Sequence, residues 1–243
     1  MKAIIPMAGR GSRFAHIDLP KPLIPVLDKT MLAWSLESIF YSFPRLRTKE
    51  FIFIALREHE EKYHIREEIQ KMIGIDFTIR YLDEVTDGPV STVLTLDDMM
   101  DPEEDFFTID CDQYIRCRGL RHTIEEAQEN KWAGLIPTFE ASDPAYSYVK
   151  LDRKKNIVRT AEKEVISSHA AVGIYYFGSW TIFADAAKEM IAQDTRTKNE
   201  FYMSPLYNKI IEKGGIVRIV PTEKWMTMGT PEDEKRFITA MSQ

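Results

Sequence analysis

The chain has 243 residues, 44% hydrophobic and 29% charged, with a formal net charge of −6 and only two cysteines, Cys111 and Cys117. Such a chain can bury a substantial core, lacks the basic balance of a general nucleic-acid binder, and holds too few cysteines for a disulfide framework or a structural zinc site. No apolar run approaches a membrane span, and Arg10 interrupts the opening apolar segment before a signal-peptide core forms, so a single cytoplasmic domain over 1–243, touching neither membrane nor nucleic acid, is expected.

In chain order, Lys2 to Met7 reads as a buried strand released into Ala8-Gly9-Arg10-Gly11-Ser12-Arg13, with Pro20-Lys21-Pro22 after a short polar interval. Gly9 and Gly11 lack the Cβ that keeps backbone N–H groups away from an anion. Arg13 adds a planar fork and Lys21 a mobile point charge, which together suit a triphosphate. No third glycine opens a helix and no Gly-Lys-Ser/Thr follows, so neither the dinucleotide fingerprint nor the Walker A loop applies. Met31 to Tyr41 reads as an amphipathic helix, and the apolar run Phe51 to Leu56 as a strand covered on both faces. A helix over Glu58 to Met72, a strand over Phe77 to Leu82, and a helix over Val90 to Met99 opened by Asp87-Gly88-Pro89 follow.

Phe106 to Ile109 then delivers Asp110-Cys111-Asp112 at a strand end. Two carboxylates two residues apart project to one side, where a hard cation relieves their repulsion; Asp110 taken alone is as well explained by loop amides. Further on come a helix over Leu120 to Asn130, a strand over Ala133 to Phe139, and a hairpin over Tyr148 to Thr160 turned by Asp152-Arg153-Lys154-Lys155-Asn156. A strand over Ala171 to Phe177, helices over Trp180 to Ala192 and Met203 to Lys213, a strand over Ile216 to Val220 and a helix from Pro231 complete the chain. This alternation predicts an α/β fold with a doubly wound, mainly parallel, Rossmann-like sheet whose ligands lie beyond the carboxyl ends of the strands.

The loop Gly9-Arg10-Gly11-Ser12-Arg13 with Pro20-Lys21-Pro22 resembles the signature of the nucleotidyltransferases that activate sugar phosphates and related compounds. Asp87-Gly88-Pro89-Val90-Ser91-Thr92 resembles their base-contacting turn and Glu162-Lys163 the pair whose lysine grips the acceptor phosphate. Ala171-Val172-Gly173-Ile174-Tyr175 is similar to the strand after that pair, and Trp225 to Pro231 to the closing segment. The resemblance implies a fold of the nucleotide-diphospho-sugar transferase type, with a nucleotide-binding half at about 1–115 and an acceptor-binding half at about 116–243. It also implies an Mg²⁺-dependent enzyme that moves a nucleotidyl group from a nucleoside triphosphate to a phosphorylated small molecule, releasing pyrophosphate, as in the supply of activated sugars for cell-surface polysaccharide.

By the same resemblance Arg13 would act on the leaving pyrophosphate, Lys21 on the reacting phosphates and Lys163 on the acceptor phosphate. Ala8, Gly9, Gly11, Ser12, Gly88 and Asp110 would meet the nucleotide, Glu162, Lys163 and Tyr202 the acceptor, and Asp112 with Asp110 the metal. Ile109-Asp110-Cys111-Asp112-Gln113-Tyr114 is more similar to the Asp-x-Asp-Asn-Tyr of phosphocholine cytidylyltransferases than to the Gly-Asp-Asn of sugar-1-phosphate enzymes. That favours CTP over UTP or dTTP and leaves a sugar phosphate and a phosphocholine-like acceptor both open. Where the sugar-phosphate enzymes carry Trp-x-Asp-x-Gly-Thr, Thr227 replaces the metal-binding Asp, and Asp110 is expected to supply the missing charge.

Without the resemblance Lys163 reads as a surface residue ending a hairpin. Trp132, Tyr146, Tyr148, Tyr175 and Tyr202 read as core aromatics more readily than as an acceptor lining. The rival reading is a metal-dependent glycosyltransferase holding a nucleotide-sugar through Asp110-Cys111-Asp112, against which the opening loop stands; a non-catalytic binding protein of the same fold is another. A homo-oligomer is compatible with each.

Overall fold

The computed structural model describes residues 1–74 and 76–242. Its first half runs β1 (Lys2–Pro6), the short strands β2 (Pro25–Val26) and β3 (Lys29–Thr30), α1 (Met31–Ser42), β4 (Phe51–Leu56), α2 (Arg57–Tyr63), α3 (Ile65–Ile73), β5 (Thr78–Leu82), α4 (Pro89–Leu94), β6 (Phe106–Ile109) and β7 (Gln113–Arg116). There follow α5 (Leu120–Asn130), β8 (Gly134–Glu140), β9 (Ser147–Leu151), β10 (Ile157–Glu162), β11 (His169–Ala171), β12 (Ile174–Phe177), α6 (Trp180–Ala192), α7 (Met203–Glu212), β13 (Val217–Pro221), β14 (Lys224–Thr227) and α8 (Pro231–Met241).

A ten-stranded sheet in the order β10-β9-β11-β8-β12-β6-β1-β4-β5, with β13 beside β8, forms the spine of this α/β fold. From β5 to β6 every pairing is parallel, as the expected winding requires. The C-terminal strands add antiparallel pairings, β12 against both β6 and β8. Alternation along the strands divides the core. Ile4, Ile52 and Ile54 face α4, α6 and α7, whereas Ala3, Ile5, Phe51 and Phe53 face α1, α3 and α5. A third cluster, with Phe14, Ile24, Trp34, Tyr114, Met228 and Phe237, seats the opening loop on α1 and α8.

Three elements differ from their sequence pattern. The helix expected over Glu58 to Met72 breaks at His64, which takes a left-handed conformation at φ 50° and separates α2 from α3. The helix over Val90 to Met99 ends at Leu94, and the chain to Met100 continues as tight turns, with the Thr95 hydroxyl bonded to the Thr92 carbonyl. The strand over Ala171 to Phe177 divides at Val172-Gly173, because the Gly173 carbonyl turns to accept the Asp110 N–H at 3.1 Å while Val172 N–H bonds Pro137.

The strands β7 and β14 carry no clear alternating pattern and pair only with each other, antiparallel. On its other side β7 is completed by a helix. Buried Ser35, Ser38 and Ser42 stand on one face of α1. Ser35 Oγ accepts the Gln113 N–H at 3.0 Å and donates to the Gln113 carbonyl at 2.8 Å; Ser38 Oγ accepts from Ile115 N–H at 2.7 Å and Ser42 Oγ donates to the Cys117 carbonyl at 3.2 Å. Three hydroxyls thus do what a neighbouring strand would do. Both cysteines are free and buried, and no helix among the described residues is long and apolar enough to cross a membrane.

Ser35→Ala leaves the Gln113 N–H and carbonyl unpaired in the interior, which costs on the order of 2 to 4 kcal/mol. Urea denaturation is expected to show a loss of that size with an unchanged slope; a loss below about 0.5 kcal/mol, the range of ordinary surface changes, contradicts the serine ladder.

Candidate active site

Because β1 and β6 are parallel neighbours, with Ala3 opposite Phe107, the loops leaving their carboxyl ends lie side by side. The first is the glycine-rich loop. Gly11 adopts a left-handed conformation (φ 59°, ψ 36°), and a Cβ there would sit 3.2 Å from Lys21 Cβ. A Cβ on Gly9 would meet nothing within 4 Å, which leaves its backbone open to a ligand. Ser12 and Arg13 open a short 3-10 turn pinned by buried Phe14, while Ala8 is itself buried. Arg13 is exposed and makes no ion pair or side-chain hydrogen bond among the described residues.

Lys21 turns inward from the second 3-10 turn and pairs with Asp112 Oδ2. Burial works against its charge, but the attraction of Asp112, with Asp110 farther off, outweighs it and raises the ammonium above its usual range. Asp110 has the opposite problem. Burial first, then the neighbouring Asp112 charge, push its carboxyl up to about 7 despite Lys21.

Three residues to which the sequence motifs assign no role hold Asp110 in place. Gln113 Nε2 donates to Asp110 Oδ2 at 2.7 Å, and Trp225 Nε1 donates to Gln113 Oε1 at 2.6 Å. A Cβ on Gly173 would run into both the Gln113 amide and the Asp110 carboxylate, so only glycine leaves room for their contact. Trp225 in turn stacks on Phe139 with ring centroids 4.2 Å apart and meets the edge-on Tyr146 at 5.1 Å. The sequence traces of this relay are the Gln three residues after Asp110, the Gly within Ala171 to Tyr175 and the Trp of the closing segment.

The residue after β14 closes the site from the other side, since Met228 N–H donates to the Asp112 carbonyl at 2.7 Å. A Cβ on Gly229 would lie 3.1 Å from Thr227 Oγ1, 3.4 Å from Asp112 Oδ2 and 3.8 Å from Asp233 Oδ2. Among the described residues no three His, Cys, Asp or Glu side chains converge as a metal cluster. The donors that do gather, Asp112 and Asp110 with the Thr227 hydroxyl near Asp112, are hard oxygens. They fit a cation such as Mg²⁺, which takes one or two carboxylates and completes its shell with water and substrate phosphates.

On the acceptor side Lys163 has a left-handed backbone (φ 58°), and its N–H bonds the Tyr146 carbonyl at 3.0 Å. Its Nζ donates to the Tyr202 hydroxyl at 3.1 Å and lies 4.0 Å from Glu162 Oε1, so the structure brings Glu162, Lys163 and Tyr202 together. Glu162 accepts the Ser147 hydroxyl; burial raises its carboxyl against the pull of Ser147 and Lys163. Burial first, then the charges of Glu162 and Asp110, push the phenol of Tyr175 up. Tyr148 is fully buried and Trp132 lies under Arg218, so both serve packing. Gly88 (φ 121°) owes its missing Cβ to the protein itself, because a Cβ there would lie 2.7 Å from Phe201 N and 2.9 Å from Phe201 O.

The family model described as nucleotidyl transferase matches residues 2–241. Among solved structures, a nucleoside-diphosphate-sugar pyrophosphorylase from Vibrio cholerae RC9 is similar with a TM-score of 0.83 and 24% identity, over 98% of this chain and 99% of that one. A putative glucose-1-phosphate thymidylyltransferase from Bacillus anthracis, in complex with a sucrose, gives 0.78 and 21% over 100% and 95%. A UDP-glucose pyrophosphorylase complexed with UDP-glucose gives 0.77 and 18% over 99% and 98%. At these identities the likeness establishes the fold. No curated protein matches the chain.

With Asp110 at about 7 in the folded protein against a usual 3.8, the native state binds this proton more tightly than the unfolded chain does. Stability therefore falls as pH rises between those values. In metal-free protein Asp110→Asn is expected to gain on the order of 1 to 4 kcal/mol over wild type at pH 8 and about nothing at pH 4. Urea midpoints at the two pH values check this, and an equal difference at both would contradict the raised carboxyl.

Proposed function

Since the chain belongs to the nucleotidyl transferase family, we propose that it transfers a nucleotidyl group from a nucleoside triphosphate to a phosphorylated small molecule, releasing pyrophosphate. The observation that carries this reading is the pairing of Lys21 with Asp112, two residues from separate loops, at the mouth between β1 and β6 and beside an open glycine-rich backbone. The acceptor phosphate is already a nucleophile, so no covalent enzyme intermediate is needed. The protein's task is to align it with the α-phosphorus and to neutralise crowded negative charge.

In this reading Ala8, Gly9, Gly11, Ser12 and the Gly88 turn receive the nucleotide. Exposed, unpaired Arg13 stabilises the leaving pyrophosphate; Lys21 exchanges Asp112 for the reacting phosphates; Lys163, flanked by Glu162 and Tyr202, holds the acceptor phosphate. Asp112 and Asp110 would hold Mg²⁺, which when bound supplies charge neutralisation to the phosphate oxygens. CTP is the favoured donor, on the resemblance of Asp110 to Tyr114 to phosphocholine cytidylyltransferases, with UTP and dTTP next. For the acceptor, a sugar phosphate is supported by the names of the similar structures. A phosphocholine-like compound is supported by the resemblance of Asp110 to Tyr114 to phosphocholine cytidylyltransferases. A cytoplasmic setting accords with two free thiols.

Pyrophosphate release from a matrix of CTP, UTP and dTTP against glucose 1-phosphate and phosphocholine tests the reading, since a glycosyltransferase would release none. Arg13→Ala and Lys21→Ala are each expected to slow turnover about a hundredfold, roughly 3 kcal/mol of transition-state stabilisation, with an unchanged circular-dichroism spectrum. Wild-type turnover in either variant refutes the loop's role.

A magnesium titration separates the metal's partners. Asp110→Asn should raise the concentration for half-maximal rate severalfold, whereas Thr227→Ala should leave it nearly unchanged because a hydroxyl adds little affinity. The reverse pattern would assign the second ligand to Thr227.

A further inference from the structure

Between α6 and α7 the chain forms a strap that touches both substrate regions. Thr197 and Glu200 exchange two backbone hydrogen bonds of 3.0 Å around Lys198 (φ 48°) and Asn199 (φ 69°), a tight turn with two left-handed non-glycine residues. Arg196 fixes its base. Nε donates to Asp194 Oδ1 at 2.5 Å, Nη1 to the Asn199 carbonyl at 3.1 Å and Nη2 to Asp87 Oδ2 at 2.9 Å, while the guanidinium plane covers the Phe201 ring at 4.2 Å. Asp87 lies 109 positions away in sequence.

The residues on either side of this clasp carry the two assignments made above. Phe201 N–H donates to the Asp87 carbonyl at 2.8 Å and the Phe201 carbonyl accepts from Val90 N–H at 3.1 Å, gripping the Gly88 turn from both ends. The next residue, Tyr202, receives the Lys163 ammonium through its hydroxyl. Solvent-exposed ion pairs are largely offset by hydration and side-chain entropy, so the clasp adds little to global stability. A rigid guanidinium fork with three directed bonds and a stacked face instead fixes register between the parts it joins.

We propose that Arg196 is a positioning residue that makes the Gly88 nucleotide turn and the acceptor lysine Lys163 one rigid unit, so that triphosphate and acceptor bind with positive coupling. This rests on the roles given to Gly88 and Lys163 under the proposed function. Coupling of this kind is reciprocal, so each substrate tightens the other by the same factor.

The test uses whichever triphosphate and acceptor release pyrophosphate in the matrix above: the Kd of that triphosphate's non-hydrolysable α,β-methylene analogue is measured by calorimetry without acceptor and with acceptor at saturation. In wild type it should fall by about threefold or more as acceptor saturates, and in Arg196→Met the two values should converge while the urea midpoint stays put. Asp87→Asn, which opens the same clasp from its other end, should lose the coupling equally, and Arg196→Lys should restore only part of it. Lys163→Ala must raise the acceptor KM; if it does not, or if no pair in the matrix turns over, the underlying reading fails and this inference with it. If that control behaves but the ratio in Arg196→Met equals wild type, or the wild-type ratio is one, the clasp is not a coupling device.

Discussion

Two carboxylates and one ammonium share a partly buried crevice, and the surrounding structure is arranged to make that tolerable. Lys21 pairs with Asp112, leaving Asp110 with an amide donor and, among the described residues, no paired cation. An unpaired buried carboxylate protonates rather than bear its desolvation, hence the rise of Asp110 to about 7. The crevice is thus held in an electrostatically costly arrangement, which lowers the stability of the fold.

Holding such a crevice open requires support from outside it. The serine column of α1 fixes the backbone of Gln113, Gln113 fixes Asp110, and Trp225 fixes Gln113 from the paired strand β14. Met228 of the closing segment bonds the Asp112 carbonyl and also packs into the cluster beneath the glycine-rich loop. Loop, acidic pair and closing segment are therefore one packed body, although they come from three distant stretches of chain.

The sequence exposes those parts of this arrangement that depend on local chemistry. Phe51 to Leu56 is a buried strand because six apolar residues have nowhere else to go, and Gly11 announces a left-handed turn that few other residues accept. Lys21 stands out as a cation beside the glycine-rich turn, and Asp112 as one of two carboxylates at a strand end. Gln113, Gly173 and Arg196 do not. Each owes its role to a partner brought close only by the fold: Gly173 to a contact between Gln113 and Asp110, and Arg196 to Asp87. The strand β7 escaped for the same reason, since its hydrogen bonds are completed by serines of a helix, which no alternation of side chains along Gln113–Arg116 encodes.

Thr227 can be understood from the same charge balance. Its hydroxyl and Asp112 Oδ2 approach one point above Gly229, at 3.1 and 3.4 Å. A carboxylate at position 227 would put a third negative group against Asp112 with Lys21 as the one cation paired there. Asp110 is already raised by Asp112, and an added neighbour of like charge would raise it further and keep it protonated near neutral pH. A neutral hydroxyl avoids this. A hydroxyl at position 227 thus spares Asp112 and Asp110 a further like charge at a point that Asp233 Oδ2 already approaches to 3.8 Å.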